Sequence, residues 1–576
     1  MPVIQDEIIY RPLNKPQEGV NGYQGFQPGK VETLPKGFTG KGWDGLNSRT
    51  LTSDILVEHD VEIVVRDGAR LYADIYRPPG SDEKVPVIIG WGPYGKKYSA
   101  TDMLPVCTWK CGVIPSDLSG FEKFEGLDPA IWCPKGYAIA SIDQRGAGCS
   151  DGNVQMIGSK DVEDGYDVIE WLAKREWCNG KVGMAGNSYL AISQYFIAAL
   201  QPPSLAGIAP WDGLSDLYRE QFVLGGIFNL SNFALIASLI IRGNGGIEDF
   251  AANYRRYPKA TSEFWSDKRV DMTKINVPCY LAGSDVSSLH TMGTLRAWTE
   301  IGSKDKWLRW GGYQEWFDLY SEPHNQEELL GFFDLYLKGK KNGWAEATPR
   351  VRMTILNFGD KDPVENIVVD NWPLPQTLSY NSEVVGSPGT RSFIYTFDKQ
   401  TRIVGLPKAH LFVSCTASDD LCIYIELRKL DASGKLIKHV QVSTERRWIK
   451  KYEDIPEKDH SGVIIHSGSA GMLRASRRKI DPSRTWHPHA PFHPHDEDQK
   501  IPPGQIVELE IGIWHMGVQF EAGESLRFDV FGQSSLNSEL KEGQGSRPED
   551  ERNKGEHMIH FGGEYPSRVI LPIVPM

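Results

Sequence analysis

The sequence predicts a mostly parallel, doubly wound α/β sheet with a helical cap insertion, followed by an all-β domain. Between residues 55 and 348, short apolar runs alternate with amphipathic helical stretches, as expected for strands that are covered on both faces of a sheet. The segment 212–270 interrupts that alternation with further helical sequence. After Pro349, short alternating runs separated by turns are typical of a β-sandwich or jelly roll.

Length and composition indicate a large globular chain. It has 576 residues, of which 40% are hydrophobic and 24% charged, which excludes a disordered or fibrous class. The net charge of −12 argues against a general nucleic-acid binder. The start, MPVIQDEIIY, shows no secretory signal pattern, and 8 cysteines are too few for a disulfide scaffold. We therefore expect a cytoplasmic protein with reduced thiols.

The element pattern predicts four segments. They are an extended arm at 1–54, an α/β domain at 55–211 and 271–348, a helical cap at 212–270, and a β jelly-roll domain at 349–576. An insertion between two strands of an α/β sheet commonly covers the site at the sheet edge, which is why the segment 212–270 is predicted to be a cap.

One apolar stretch within the predicted cap tests whether the chain enters a membrane. Residues 222–241 contain no charge and have the length of a transmembrane helix. Several asparagines, serines and glycines make insertion of this stretch costly, so we expect helices that are buried or that line a substrate pocket. Replacement of Phe228, Phe233 or Leu235 is then expected to alter turnover more than stability.

A strand followed by a serine carries the sharpest chemical signal. Residues 181–190, KVGMAGNSYL, form a short apolar run that leads into a predicted helix. A serine at such a turn is exposed on a strained corner beside helix-start N–H groups that can stabilise an oxyanion. Leu190 stands where the general G-x-S-x-G pattern has its last glycine. Ser188 is therefore either a candidate nucleophile or simply the N-cap of the following helix.

Two segments upstream of Ser188 give this turn a context. Residues 143–152 read DQRGAGCSDG, and residues 91–97 read WGPYGKK after the apolar run VPVIIG. With the serine turn, these blocks resemble the cocaine-esterase-like serine hydrolases (CocE/NonD type), relatives of the X-Pro dipeptidyl-peptidases and α-amino-acid ester hydrolases. That family has a D-x-R-G-x-G-x-S-x-G block, a G-x-S-Y elbow and a Pro-Tyr loop. Matching segments run in order from about residue 56 to residue 576.

The resemblance implies an α/β-hydrolase fold with a cap and a C-terminal jelly roll. It makes Ser188 the nucleophile, and it assigns oxyanion stabilisation to the backbone N–H of Tyr189 and the hydroxyl of Tyr94. Asp143 and Arg145 are interpreted as structural, because an arginine just past a strand more often ties loops together than catalyses.

The base and the acid depart from the family pattern. The family places its acid after the strand that corresponds to VPCYLAG, where Asp285 stands, and its histidine after the next strand. Here that second segment, residues 307–316, reads WLRWGGYQEW and contains no histidine. The nearest histidines are His290 and His324.

A rearranged triad satisfies the chemistry. His290 follows one predicted strand and Glu315 or Asp318 follows the next, and both loops leave the carboxyl edge of the sheet, where open α/β sheets place their sites. A triad needs only the right geometry, whatever the chain order. His290 with Asp285 or Glu315 as its orienting acid is therefore the leading hypothesis. The alternatives are that His290 merely caps a helix, that His324 is the base, or that the chain has no functional base.

No metal or cofactor is expected. The segment WHPHAPFHPH at 486–495 is rich in histidine, but its spacing does not fit a zinc site, and its prolines indicate a structural loop. No phosphate-binding or dinucleotide-binding glycine motif is present.

The sequence favours a serine hydrolase or acyl-transfer enzyme that cleaves an ester, lactone or amide of an apolar small molecule through an acyl-enzyme on Ser188. One alternative keeps the fold but catalyses a cyclisation, isomerisation or decarboxylation with a non-standard triad. Another is a ligand-binding protein without catalysis. We expect neither a nucleic-acid nor a membrane partner, and the sequence leaves homo-oligomers open.

Overall fold

The computed structural model describes residues 7–80, 83–230, 232–369, 383–387, 390–532 and 553–574. The N-terminal arm lies against the rest of the molecule through short strands. Its strand β2 pairs antiparallel with β5 of the main sheet, and β1 pairs with β13 of the cap insertion. The arm strands are β1 (Tyr10–Pro12), β2 (Val31–Leu34), β3 (Thr39–Lys41) and β4 (Asn47–Thr50).

The main sheet begins with a hairpin and continues with alternating strands and helices, as the sequence predicts. Its first strands and the helices among them are β5 (Ile55–Val64), β6 (Arg70–Arg77), β7 (Val85–Gly92), α1 (Ala100–Met103), α2 (Pro129–Trp132), β8 (Ala138–Asp143), α3 (Ser159–Ala173), β9 (Cys178–Asn187), α4 (Tyr189–Ala199) and β10 (Leu205–Trp211).

The cap insertion follows β10 and consists of short elements. A π-helical turn at Tyr218–Phe222 precedes them. They are β11 (Val223–Leu224), β12 (Ile227–Phe228), α5 (Phe233–Leu239), β13 (Gly246–Glu248), α6 (Phe250–Arg256) and α7 (Glu263–Ser266). In the part of the chain that the structure describes, none of the helices combines the length and apolarity needed to cross a membrane.

The main sheet resumes after the cap. Its remaining elements are β14 (Cys279–Ser284), α8 (Thr291–Glu300), β15 (Lys306–Gly311), α9 (Glu315–Tyr320), α10 (Pro323–Lys338), α11 (Trp344–Ala347), β16 (Val351–Ile355) and β17 (Val364–Val368). Strands β16 and β17 extend this sheet, although the sequence pattern places them beyond the boundary at 348/349.

The sheet order places several loops side by side. The order is β17-β16-β15-β14-β10-β9-β7-β8-β6-β5-β2, and the run from β16 to β8 is parallel. The loops after β7, β9, β10, β14 and β15 therefore leave the same carboxyl edge, where α/β sheets bind ligands. Most of these strands are buried along their whole length, which explains their continuous apolar sequence.

The C-terminal domain is built of antiparallel sheets around its own apolar core. Its strands are β18 (Glu383–Ser387), β19 (Thr390–Thr396), β20 (Thr401–Gly405), β21 (Lys408–Cys415), β22 (Cys422–Leu430), β23 (Leu436–Ile437), β24 (His439–Val440), β25 (Ile465–His466), β26 (Ser469–Arg474), β27 (Val507–Gly512), β28 (Met516–Phe520), β29 (Ser525–Phe531), β30 (His557–His560), β31 (Arg568–Ile570) and β32 (Ile573–Val574). The predicted fold class, an α/β domain followed by an all-β domain, is confirmed.

Candidate active site

Ser188 occupies a sharp turn between β9 and α4. Its backbone has φ of +54° and ψ of −117°, a conformation that costs a residue other than glycine about 1–3 kcal/mol. The turn is tight enough to require Gly186, because a Cβ there would lie 2.7 Å from the Glu125 carbonyl oxygen. The Ser188 side chain makes no capping hydrogen bond to the helix. Its hydroxyl points instead toward the carboxyl edge of the sheet, where it meets His290.

His290 lies at the N-cap position of α8, on the loop that follows β14. Its side chain makes no capping bond to that helix. Its Nε2 atom lies 3.2 Å from Ser188 Oγ, across 102 residues of sequence. The ring is buried, with 5% exposure, so its orientation is fixed by its neighbours. This geometry is the one that a general base for Ser188 requires.

The other ring nitrogen of His290 faces Glu315, the first residue of α9. The distance from His290 Nδ1 to Glu315 Oε2 is 3.3 Å. Ser287 bridges the two groups: its hydroxyl donates to Glu315 Oε2 at 2.6 Å and lies 2.9 Å from His290 Nδ1. Because the Ser287 proton is directed to the carboxylate, its oxygen is left to accept from Nδ1–H. That arrangement keeps Nε2 unprotonated and facing Ser188.

The other predicted candidates lie elsewhere. Asp285 points into the C-terminal domain, where its Oδ1 atom lies 2.5 Å from His515 Nδ1. Asp318 forms an ion pair with Arg309 at 2.9 Å. His324 is exposed on the first turn of α10. The structure therefore brings Glu315, but not these three residues, to Ser188 and His290.

The predicted oxyanion donors flank Ser188. Tyr189 begins α4, so its backbone N–H belongs to the first turn of a helix directly after the serine. The Tyr94 side chain follows β7, is 5% exposed, and its hydroxyl interacts with both Ser188 and Glu125. The Tyr94 and Tyr189 rings pack edge to face with centroids 6.1 Å apart.

Several buried carboxyl groups surround this centre, and their charge states differ. Burial alone would raise the pKa of Glu315, but the charge and hydrogen bond of His290, with hydrogen bonds from Ser287 and Asn187, lower it below its ordinary value. Burial, together with the charge of Glu315, raises the pKa of Glu125 and of Asp212 well above the ordinary carboxyl value. One carboxylate therefore stays ionised beside the imidazole, while its two neighbours hold their protons.

Among the described residues, the side chains of Asp212, His290 and Glu315 lie close enough together to ligate a metal ion. Their ligand atoms lie within 4.8 Å of one another.

The histidines of residues 486–495 contact the backbone of their own domain: His489 and His493 form hydrogen bonds with backbone oxygens of Leu406, Lys479 and Glu510. Asp143 and Arg145 tie loops together, through Lys96 and through Asp164, as expected for structural residues.

A narrow pocket of about 40 Å³ opens above Ser188. Its walls come from the cap and from the loops at the sheet edge, and most of them are apolar. The lining residues are Tyr94, Met156, Ile157, Ser188, Tyr189, Ile192, Leu214, Leu217, Gln221, Phe222, Asn232, Phe233, Ile236, Leu289 and His290. Of the three cap residues expected to affect turnover, Phe233 lines the pocket, Phe228 stacks on Tyr254, and Leu235 is 44% exposed.

Comparison with known proteins places this arrangement in a family. Residues 67–244 match the X-Pro dipeptidyl-peptidase (S15 family) model, and residues 378–570 match the X-Pro dipeptidyl-peptidase C-terminal non-catalytic domain. A crystal structure of a CocE/NonD family hydrolase from Staphylococcus aureus is 28% identical, with a TM-score of 0.80, and the match covers 98% of this chain and 100% of that one. The chain thus contains an S15-type hydrolase domain and the associated C-terminal domain, and its homologues include esterases and X-Pro dipeptidyl-peptidases.

Two further proteins are similar to this chain over a shorter sequence segment or in fold only. Cocaine esterase from a Rhodococcus species is 33% identical over 167 residues, which cover 29% of this chain and 25% of that protein. The chain thus spans about a quarter of the length of this curated relative. An aminopeptidase from a marine sediment Thaumarchaeota archaeon has a TM-score of 0.62 at 15% identity, with coverage of 89% of this chain and 96% of that one. That likeness shows the fold alone.

The S15 match covers only one part of the site. It includes Tyr94, Ser188 and Tyr189, and it ends at residue 244, before His290 and Glu315. The two residues that differ from the pattern implied by the resemblance, His290 and Glu315, thus lie outside this match.

Sequence reasoning missed three side chains at this centre. Ser287, Glu125 and Asp212 all contact or face the candidate triad. Asp212 carried a usable signal, because it directly follows the apolar strand LAGIAPW next to the strand of Ser188. Ser287 and Glu125 carried none, since their loops are brought to the site only by the tertiary fold.

Proposed function

We propose that the protein is a serine esterase that hydrolyses small, uncharged, apolar esters through an acyl-enzyme on Ser188. One observation carries the proposal: Ser188 Oγ lies 3.2 Å from His290 Nε2, while His290 Nδ1 faces Glu315 and Ser287. A serine hydroxyl is a weak nucleophile until a base within hydrogen-bond reach removes its proton.

In the acylation step, Ser188 Oγ attacks the ester carbonyl carbon as His290 Nε2 takes the hydroxyl proton. The carbonyl oxygen gains the negative charge, which the Tyr189 N–H and the Tyr94 hydroxyl stabilise. Collapse of the tetrahedral intermediate breaks the bond to the alcohol oxygen, and His290 returns the proton to that leaving group. The products of this half-reaction are the alcohol and the Ser188 acyl ester.

Deacylation repeats these steps with water. His290 removes a proton from water as the oxygen attacks the acyl carbon, and the proton then returns to Ser188 Oγ as the carboxylic acid leaves. Glu315 stays ionised throughout and stabilises the imidazolium that forms twice per cycle, consistent with its lowered pKa. The balance requires only the ester and one water molecule.

The pocket favours an uncharged ester over a peptide N-terminus. Among the described lining residues there is no aspartate, glutamate, lysine or arginine. A dipeptide with a free N-terminus would bring an ammonium group into this apolar space, and a buried cation without a partner is costly. The small volume further favours a short acyl chain.

Turnover of a series of p-nitrophenyl esters and of Gly-Pro-p-nitroanilide tests this proposal. Acetate and butyrate esters should turn over with higher kcat/KM than the octanoate, and the anilide should be a poor substrate. Acid quench and peptide mapping should place the acyl group on Ser188. The proposal fails if the anilide is the better substrate or if acylation occurs on another residue.

The cap supplies a matched pair of variants for the same assay. Phe233→Ala should enlarge the pocket and shift the preferred ester toward longer chains, whereas Leu235→Ala, on the exposed side of the same helix, should leave the preference unchanged. An equal shift in both variants would contradict the assignment of the pocket as the acyl site.

A further inference from the structure

The loop that carries His290 is partly embedded in the C-terminal domain. Asp285 and Val286 follow β14 directly. The Asp285 carboxylate contacts His515 Nδ1 at 2.5 Å and accepts the backbone N–H of Gly517 at 3.0 Å. Val286, 4% exposed, belongs to the apolar core of the C-terminal domain rather than to that of the main sheet.

The next residue of this loop already belongs to the active site. Ser287 contacts both His290 and Glu315, so it lies one residue beyond the segment held by the C-terminal domain. A shift of Asp285 or Val286 would therefore be passed on to Ser287 over only two peptide units or one. Displacement of a catalytic group by about 1 Å can lower a rate on the order of 100-fold.

The partner of Asp285 is itself tightly held. His515 is 1% exposed, its backbone oxygen accepts the Ser469 hydroxyl at 2.8 Å, and its ring packs edge to face with Trp310 at 5.2 Å. Position 517 must be glycine, because a Cβ there would lie 2.9 Å from Asp285 Oδ2 and 2.8 Å from the Thr354 oxygen. The close approach of strand β28 to the loop thus depends on local sequence in both domains.

The C-terminal domain holds the Glu315 loop in the same way. His439 Nε2 lies 2.7 Å from the Gly312 oxygen, and the Gln314 N–H donates to the Gln441 oxygen at 2.9 Å. Burial lowers the pKa of His439 to about 4, so its ring is neutral and its Nε2–H is the donor. Gln314 in turn caps α9 by accepting from the Trp316 and Phe317 N–H groups.

We propose that the C-terminal domain is part of the catalytic apparatus of this enzyme, in that His515, through Asp285, positions the loop that presents His290 to Ser188. His515 and Asp285 are positioning residues, because they touch neither the substrate nor the reacting atoms. Asp285, at the position where relatives are expected to carry the triad acid, serves here as the anchor between the domains. This proposal rests on the proposed function only for the role of His290.

Three variants test this role for His515. His515→Ala removes the donor to Asp285, and kcat should fall about 10- to 100-fold with KM changed less than about twofold. His515→Asn places an amide N–H near the position of Nδ1 and should recover most of kcat. Arg446→Gln is the matched control, since it removes an ion pair between the same domains, 3.3 Å from Arg446 Nη1 to Asp117 Oδ2, in which no residue of the two loops takes part.

Two further readouts separate positioning from direct catalysis and from misfolding. The pH dependence of kcat/KM should keep its shape in His515→Ala, because Asp285 does not orient the imidazole. Hydrogen–deuterium exchange should rise in the peptide containing residues 285–290 in His515→Ala and not in Arg446→Gln.

The proposal is overturned if folded His515→Ala keeps either wild-type kcat or wild-type exchange in residues 285–290. It is also overturned if His515→Asn, correctly folded, is as impaired as His515→Ala. The exchange measurement does not depend on activity. An inactive Ser188→Ala alongside a fully active His515→Ala would therefore reject the positioning role and leave the esterase proposal standing.

Discussion

The two halves of the candidate site differ in how they are built. The half around Ser188 consists of tight turns that directly follow β7 and β9, with Tyr94 and Tyr189 within two residues of the strand or helix end. The half around His290 consists of loops after β14 and β15, in which the proposed base and acid occupy exchanged positions relative to the pattern that the resemblance implies. The first half lies within the S15 match, and the second lies outside it.

This difference has a geometric cause. The proposed nucleophile, Ser188, depends on one strained backbone conformation, so the residue types around it are fixed by local sterics. The base needs only to bring one imidazole nitrogen to Ser188 and the other to a carboxylate. Because β14 and β15 are adjacent and parallel, a histidine on one loop and an acid on the other meet at the same place whichever way round they are.

The largest effects should come from the pair that joins the two halves. Ser188→Ala and His290→Ala should each lower kcat by about 10³- to 10⁶-fold, and the double variant should lose little more, because the two residues act as a unit. Steady-state kinetics on a p-nitrophenyl ester measures this. His324→Ala is the matched control and should retain wild-type kcat. Additive losses in the double variant would mean that the two side chains act independently.

Glu315→Gln should have the next largest effect, on the order of 10²- to 10⁴-fold in kcat. The imidazolium loses its carboxylate partner, and the neutral imidazole loses the group that favours the tautomer protonated on Nδ1. The effect should exceed that of Asp285→Asn. The melting temperatures and pH profiles of both variants complete the comparison. If Asp285→Asn causes the larger loss at an unchanged melting temperature, the orienting acid follows the family order after all.

Ser287→Ala should lower kcat by about 10-fold, since it removes the bridge between His290 and Glu315 but leaves their direct contact at 3.3 Å. Ser288→Ala is the matched control on the same loop and should have wild-type kinetics. A Ser287→Ala enzyme with wild-type kcat would show that the direct contact is sufficient.

The smallest effect concerns stability. The raised pKa of Glu125 means that the native state holds this proton at pH values where the unfolded chain has released it, so stability is lost as pH rises from about 4.5 toward the raised value. Glu125→Gln cannot lose this stability. Its melting temperature relative to the wild type should therefore increase between pH 5 and pH 8, by on the order of a few degrees. A difference that does not change with pH would contradict the protonated state of Glu125.

The sequence alone predicted the elements of the main sheet well, because buried parallel strands read as continuous apolar runs. It also identified Ser188, Tyr94 and Tyr189 as candidates. It left the choice between Asp285 and Glu315 open, since both follow adjacent strands and only side-chain direction separates them. It assigned β16 to the C-terminal domain because alternation in RVRMTIL does not reveal which sheet a strand joins. The contact between Asp285 and His515 spans 230 residues, and no local pattern encodes it.

Labelling of Ser188 by a fluorophosphonate tests the central claim most directly, because the reaction requires an activated serine and no knowledge of the substrate. Intact mass measurement and peptide mapping should show one adduct per chain, on Ser188, in the wild type. The labelling rate should fall by about 10³-fold or more in His290→Ala and remain unchanged in His324→Ala. Absence of an adduct on the folded wild-type protein, or labelling of His290→Ala at the wild-type rate, would contradict the account.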